Sequence, residues 1–178
     1  SYTIYGGDTL PIEVNYYKGN GKLVLTGCLG DVMKESANIA LSYIKANYKY
    51  FKVDYDKLTD NDIHIHVPEG AIKKEGPSAG ISLTLALISA LTNKKIDSKL
   101  ALTGEITLRG QVLAIGGLKE KSIGALRSGI EKIIIPYDNL NDLDEIPSEV
   151  KDKIKFIPVK NFKEVMETIE NGNNWCNK

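Results

Sequence analysis

The sequence has no excess of either charge, few cysteines and only two histidines. It carries 23 Lys and Arg against 23 Asp and Glu, so its formal net charge is zero. A neutral chain is not drawn to nucleic acid or to an anionic membrane surface, and neither is expected as a partner. Cys28 and Cys176 lie far apart, which favours a reducing compartment over a disulfide-held fold and supplies no set of metal ligands.

Long apolar runs are also missing. No stretch approaches the length of a membrane-spanning helix, and residues 1–8 lack the basic start and apolar centre of a signal peptide. A Gly-x-x-x-x-Gly-Lys-Ser/Thr phosphate loop is absent as well, so no ATP site is expected in this chain. The abrupt start in a strand-like region suggests a piece of a longer protein.

The sequence does contain alternating strand and helix patterns in an amount that suits one domain. Its 178 residues predict a single compact α+β domain of hairpins, mixed strands and packed helices over residues 1–170, followed by a disordered tail at 171–178. A hairpin is predicted from strands at 9–17 and 22–27, and a surface loop at 54–62. The other predicted strands lie at 62–68, 100–108, 112–115, 133–135 and 155–159, and the main helices begin near residues 31, 77, 118 and 162.

Ser78 is the first candidate for chemistry. Proline is favoured at the first position of a helix, so Gly76-Pro77 before an apolar run predicts a helix start with Ser78 in its first turn. Unpaired N–H groups and the positive end of the helix dipole at that turn attract a negative oxygen. Ser78 is therefore a candidate nucleophile with an oxyanion hole in the adjacent backbone, although a serine at a helix start is more often only a cap.

Two lysines on the predicted helix 118–128 are candidate bases for such a nucleophile. Lys121 shares a helix face with Gly124, Ala125 and Ser128, whose small side chains let another element come close. A lysine covered in this way is desolvated, which lowers its pKa and makes the neutral amine available near neutral pH. Lys119 lies on a face whose apolar residues its stem can cover while its ammonium stays in water. Spacing leaves the choice open, and a solvated charge is the ordinary role of any helix lysine.

The two histidines form a third, weaker motif. His64 and His66 alternate with isoleucines in the predicted strand 62–68, so both lie on one face. His-x-His can supply two metal ligands, but a third would have to be a carboxylate, and no His-Glu-x-x-His motif is present. Zinc is therefore a minor alternative, and no metal is expected.

Five separated segments carry a resemblance to a known family. They are Leu29-Gly-Asp-Val-Met-Lys-Glu-Ser36, His64-Ile-His-Val-Pro-Glu-Gly70, Glu75-Gly-Pro-Ser-Ala-Gly80, Thr103-Gly-Glu-Ile-Thr-Leu-Arg-Gly110 and Ile115-Gly-Gly-Leu-Lys-Glu-Lys121. In this order and with these separations they resemble the proteolytic domain of Lon, the ATP-dependent Ser-Lys protease. The resemblance covers nearly the whole chain and implies the Lon proteolytic-domain fold.

The resemblance also implies roles for individual residues. It makes Ser78 the nucleophile and Lys121, not Lys119, the general base. It implies that Thr103 places a hydroxyl near the lysine amine. Backbone N–H groups at the helix start, that of Ala79 among them, are expected to hold the oxyanion.

Other polar residues are expected to support the site. The chain before Ser78, including Glu75, is implied to form one wall of the substrate groove. His66 and Glu13 are expected nearby as supporting polar groups, and a Ser-His-Asp triad through His66 is the rival arrangement. The sequence departs from the family pattern at three positions, Glu75 for aspartate, Ser82 for threonine or alanine, and Ala114 for proline.

The resemblance finally implies partners that this chain lacks. A full-length Lon-type serine endopeptidase cuts unfolded or misfolded proteins as a homohexameric ring, driven by an ATPase module that binds ATP and Mg²⁺. No cofactor is expected in this chain itself. The bacterial cytoplasm is the expected location, with the mitochondrial matrix as the alternative. The alternative function is a non-proteolytic Lon-like assembly or binding module, against which the presence of both Ser78 and Lys121 argues.

Overall fold

A computed structural model of the chain describes residues 2–3, 6–7, 9–68, 74–172 and 175–176. The helices in these ranges are α1 (Asp31–Ala46), α2 (Tyr55–Thr59), α3 (Gly80–Thr92), α4 (Leu118–Arg127), α5 (Ser148–Lys153) and α6 (Phe162–Asn171), with a 3₁₀ segment at Tyr137–Glu145. The strands are β1 (Tyr2–Thr3), β2 (Gly6–Gly7), β3 (Glu13–Lys18), β4 (Leu23–Thr26), β5 (Asn61–His66), β6 (Lys95–Ile96), β7 (Leu100–Leu102), β8 (Glu105–Ile106), β9 (Val112–Leu113), β10 (Lys132–Pro136), β11 (Lys155–Val159) and β12 (Trp175–Cys176). The predicted compact α+β architecture is confirmed.

The first sheet has the strand order β3-β5-β4, with β3 antiparallel and β4 parallel to β5. The predicted hairpin of residues 9–17 and 22–27 is therefore wrong, because β5 lies between its two strands. The segment that connects β3 to β4 is held at the start of β5, since the Asp62 carboxylate accepts the N–H groups of Asn20 (2.8 Å) and Lys22 (2.9 Å).

The second sheet is parallel, with β10 between β7 and β11. Residues 100–108, predicted as one strand, instead form β7 and β8, and β8 pairs with β9. The Thr103 N–H still donates to the Ile134 carbonyl of β10 (3.0 Å), and the chain leaves the sheet at Gly104, whose N–H donates to the Ser78 carbonyl (2.8 Å). This turn brings Thr103 beside Ser78.

α3 lies at the centre of the main core, against α1 and the first sheet. Its side chains are buried nearly all round the helix axis, as its apolar sequence predicts. The fully buried apolar ones are Ile81, Leu83, Leu85, Leu87, Ile88 and Leu91. A second apolar cluster joins α4 to β10 and α5, so the helix that carries Lys121 has its own core contacts.

Two further segments differ from the sequence prediction. Residues 54–62, predicted as a loop, contain α2, which begins because the Asp54 side chain accepts the Asp56 N–H (3.1 Å). Within 171–178, predicted to be disordered, Trp175–Cys176 form β12 and pair antiparallel with β6. Residues 173–174 and 177–178 lie outside the described residues.

Candidate active site

Ser78 lies in a turn directly before the first residue of α3. The prediction that the helix starts at Gly76-Pro77 is wrong, because the Gly80 N–H donates to the Pro77 carbonyl (3.0 Å) and the helix begins only after that turn. The start of α3 packs closely on β8, and residue 80 must be small for this reason. A Cβ at Gly80 would lie 2.7 Å from the backbone nitrogen of Ile106.

The turn presents two backbone donors beside the Ser78 hydroxyl. Among the residues that the structure describes, the N–H groups of Ser78 and Ala79 donate to no other group, whereas the Ile81 N–H donates to the Gly104 carbonyl (3.1 Å). Both N–H groups lie at the positive end of the α3 dipole. The turn can therefore hold an oxygen that gains negative charge during a reaction.

Lys121 approaches this turn from α4. Its Nζ donates to Oγ1 of Thr103 at 3.5 Å, and the same Thr103 hydroxyl donates to the Ser78 carbonyl at 3.3 Å. Burial lowers the pKa of Lys121 to about 8, because the charged ammonium loses water when it is enclosed. Thr103 thus links the residue that carries the hydroxyl to the residue that carries the amine.

The small residues on α4 allow this approach, as the spacing predicts. Gly124 and Ala125 are buried, and Ala125 and Ser128 line the same cavity as Lys121. Lys119 is exposed and does not line that cavity. The structure therefore separates the two lysines that the sequence pattern leaves undecided.

A cavity of about 520 Å³ contains the candidate groups. Ser78, Thr103 and Lys121 line it together, and Lys74 and Glu75 contribute from the segment that precedes Ser78. The rest of the wall is mainly apolar, with contributions from Leu10, Ile12, Met33, Val67, Leu100 and Ile133. A polar reactive end with apolar walls can enclose the apolar part of a bound molecule beside the reactive groups. Residues 69–73, which belong to the expected wall of the groove, lie outside the described residues.

The histidines lie elsewhere. His64 and His66 share one face of β5, as predicted. Each histidine contacts the Thr26 hydroxyl through one ring nitrogen, Nε2 of His64 at 2.8 Å and Nδ1 of His66 at 2.7 Å. Glu13 is opposite His66 on β3. None of these three residues is among those that line the cavity of Ser78. Within the described part of the chain, no group of three His, Cys, Asp or Glu side chains could hold a metal ion.

Sequence reasoning missed two buried polar residues near this site. The Asn139 side chain accepts the Ile115 N–H (3.0 Å) and donates to the Ile115 carbonyl (2.8 Å), so it fixes the backbone that leads into α4. Lys74 is buried beside the turn that carries Ser78. Asn139 belongs to a segment without periodic pattern, and Lys74 stands in a charged Lys-Lys-Glu run that is typical of a solvated surface, so neither gives a signal before the fold is known.

Comparison with known proteins gives one consistent result. Residues 1–171 match the family described as the Lon protease (S16) C-terminal proteolytic domain. A protein named Lon protease from Mycoplasma mycoides subsp. mycoides is 58% identical over 174 residues, which are 98% of this chain and 22% of the relative. The Lon protease of the aster yellows witches'-broom phytoplasma is 56% identical over 95% of this chain and 21% of the relative.

A third relative, Lon protease 1 of Bacillus subtilis, is 52% identical over 94% of this chain and 22% of its own length. The chain therefore spans about a fifth of these curated bacterial relatives. In the described ranges, every helix is too short or too polar to traverse a bilayer.

Proposed function

The chain belongs to the family of Lon protease (S16) C-terminal proteolytic domains, and we propose that this peptidase domain cleaves peptide bonds with Ser78 as nucleophile and Lys121 as general base. One observation carries the assignment of residues. Ser78 and a lysine whose pKa is lowered to about 8 by burial line the same cavity, and the Thr103 hydroxyl contacts both residues. A neutral amine beside a hydroxyl is the pair that activates a serine without histidine.

The reaction follows from these groups. Neutral Lys121 takes the proton of the Ser78 hydroxyl as Oγ attacks the peptide carbonyl, and the N–H groups of Ser78 and Ala79 hold the resulting oxyanion. Lys121 then gives its proton to the leaving amine, and the C–N bond breaks to leave an ester on Ser78. A water that Lys121 deprotonates attacks this ester, and the proton returns to Ser78. The steps need no metal and no cofactor from this chain.

Thr103 and the apolar walls have supporting roles in this proposal. The Thr103 hydroxyl accepts a hydrogen bond from Lys121 (3.5 Å) and so directs the amine toward the turn of Ser78. The apolar walls exclude water from the amine, which keeps its pKa low. His66 bonds to Thr26 and does not line the cavity of Ser78, so it has no part in this mechanism.

The activity of the whole protein is a wider proposal, because the chain spans about a fifth of its relatives. We infer that the full-length protein joins this domain to an ATPase module, which binds ATP and Mg²⁺, and that it assembles as a homohexamer in the bacterial cytoplasm. Its substrates are unfolded or misfolded proteins. Alone, the domain should cleave short or unfolded peptides slowly and folded proteins not at all. The alternative, a non-proteolytic binding module, gains no support from relatives that are all named as proteases.

A fluorogenic peptide assay tests the dyad directly. Hydrolysis should fall by at least about a thousandfold in Ser78→Ala and in Lys121→Ala, since the two groups act as a unit. Lys119→Ala is the matched control, because it removes an exposed lysine from the same helix, and it should keep the wild-type rate. Several protein concentrations should be used, since a rate per chain that rises with concentration would indicate assembly. Full activity in Lys121→Ala would disprove the assignment of the base.

A further inference from the structure

A second lysine lies beside the nucleophile and has no part in the mechanism above. Lys74 is 3% exposed, four residues before Ser78 in the sequence. Its Nζ donates to the Gly27 carbonyl at 2.9 Å. A buried ammonium costs free energy unless it is hydrogen-bonded, so its placement calls for a reason beyond packing.

The backbone of Lys74 is bound to the same region as its side chain. The Lys74 N–H donates to the Cys28 carbonyl (3.0 Å), and the Gly30 N–H donates to the Lys74 carbonyl (2.8 Å). These bonds form an isolated parallel bridge between Leu29 and Lys74. The segment that leads to Ser78 is therefore attached to residues 27–30, which we name the anchor turn.

Glu75 adds a fourth contact to the anchor turn. A Cβ built on Gly30 would overlap both carboxylate oxygens of Glu75, so this carboxylate lies directly against Gly30. Gly30 is the N-cap of α1, where the unpaired N–H groups and the helix dipole favour a negative charge. The φ and ψ of Gly30 are −73° and 168°, which any residue can adopt, so the small size of this residue serves the contact with Glu75.

We propose that Lys74 is a positioning residue of the peptidase site: its buried ammonium and backbone bonds, with Glu75 against Gly30, attach the segment before Ser78 to the anchor turn and fix the nucleophile relative to Lys121. This proposal rests on the proposed function. The segment enters the Ser78 turn within four residues, so a shift at Lys74 displaces the hydroxyl. Misplacement of a reacting atom by about 1 Å can lower a rate about a hundredfold.

Lys74→Met tests the proposal, because methionine fills similar space without a donor. We expect kcat for peptide hydrolysis to fall between about tenfold and a hundredfold with little change in KM. Hydrogen exchange at the N–H groups of Gly30 and Lys74 should become faster. The rise of the rate with pH near 8 should remain, because Lys121 is unchanged. Loss of that rise would overturn the proposal, since it would make Lys74, which also lines the cavity, the base.

Lys57→Met is the matched control for a merely structural effect. The Lys57 Nζ also donates to a backbone carbonyl, that of Leu91 at 2.8 Å, but Lys57 does not line the cavity. We expect Lys57→Met to keep the wild-type kcat. Equal losses of kcat in both variants, or none in Lys74→Met, would overturn the positioning role.

Gly30→Ala tests the contact between Gly30 and the Glu75 carboxylate by changing the residue in the anchor turn. Its methyl group should displace the Glu75 carboxylate and lower kcat severalfold, and Glu75→Ala added to it should cause no further loss. Additive losses would show that the two residues act separately. Hydrogen exchange measures the attachment of residue 74 to the anchor turn without any turnover. An inactive wild type, or a Ser78→Ala variant that keeps the wild-type rate, would refute the proposed function. The exchange data would still test the attachment in either case.

Discussion

The rate of acylation of Ser78 should rise with pH through about 8, because Lys121 must lose a proton before it can act as a base. With a pKa of about 8, the neutral fraction of the amine is about 9% at pH 7, about 50% at pH 8 and about 91% at pH 9. An ordinary lysine with a pKa of about 10.4 to 10.5 would be only about 0.03% neutral at pH 7. Burial therefore increases the available base about 300-fold at neutral pH.

Reaction with a serine-directed acylating probe measures this dependence without peptide turnover. The second-order rate constant should be determined between about pH 6 and pH 10, with circular dichroism at each pH to confirm that the chain is folded. Below pH 7 the rate should increase about tenfold per unit, and above pH 9 it should level off. Lys119→Ala should give the same curve, because Lys119 is exposed and lies outside the cavity.

Three results would contradict this reasoning. A midpoint near 10.4 would mean that the amine is solvated, as in an ordinary lysine. A midpoint near 6.5, the usual value of an imidazole, would indicate a histidine base. A rate that does not change over the range would mean that no titrating group activates the hydroxyl.

Three further predictions concern the stability of the fold and the rival Ser-His-Asp triad. Lys121→Met should raise the free energy of unfolding at pH 7 by about 1–2 kcal/mol, because burial disfavours the protonated Lys121 in the folded state. This figure is smaller than the pKa shift alone would give, because the side chain is partly exposed and solvent screens its charge. Between about pH 8 and 10.5 the folded wild type binds fewer protons than the unfolded chain, so its free energy of unfolding should rise with pH and the advantage of the variant should shrink. Urea unfolding of both proteins at pH 7 and pH 10 measures this change. The same difference in free energy of unfolding at both pH values would contradict the prediction. His66→Ala should hydrolyse the fluorogenic peptide at nearly the wild-type rate, and a loss as large as that of Ser78→Ala would restore the Ser-His-Asp triad. Asn139→Ala should lower the free energy of unfolding by about 2–3 kcal/mol, because it leaves the N–H and carbonyl of Ile115 without partners, and thermal unfolding that matches the wild type would refute this.

The sequence predicts the chemical character of the candidate site better than it predicts the pairing of the strands. Small residues at helical spacing predict that Lys121 is desolvated, and the low pKa caused by burial confirms it. The choice of Lys121 over Lys119 needed the resemblance, because both lysines share one helix and only the tertiary fold decides which faces the cavity. Pro77 predicts a helix start, but the helix begins later, because the preceding turn forms its own hydrogen bond to Gly80.

The errors in the fold come from contacts between distant parts of the chain. Two alternating runs with a Gly-rich turn between them ordinarily form a hairpin, and nothing within residues 9–27 reveals that another strand separates them. The break in residues 100–108 depends on the hydrogen bond from the Gly104 N–H to the Ser78 carbonyl, which directs the chain away from β10. The anchor turn is equally non-local, since Gly27 and Lys74 are far apart in sequence and meet only in the folded chain.

The central position of β5 in the first sheet constrains the order in which the domain folds. β3 and β4 emerge early during synthesis, yet each has β5 as its neighbour in the sheet, and Lys18 pairs with Asn61. Until residues 61–66 leave the ribosome, both strands have unpaired edges that can join other chains. Such long-range pairing also slows folding, because a large loop must close before the sheet is stable. The nascent domain is thus most prone to aggregate in the interval between synthesis of β4 and of β5.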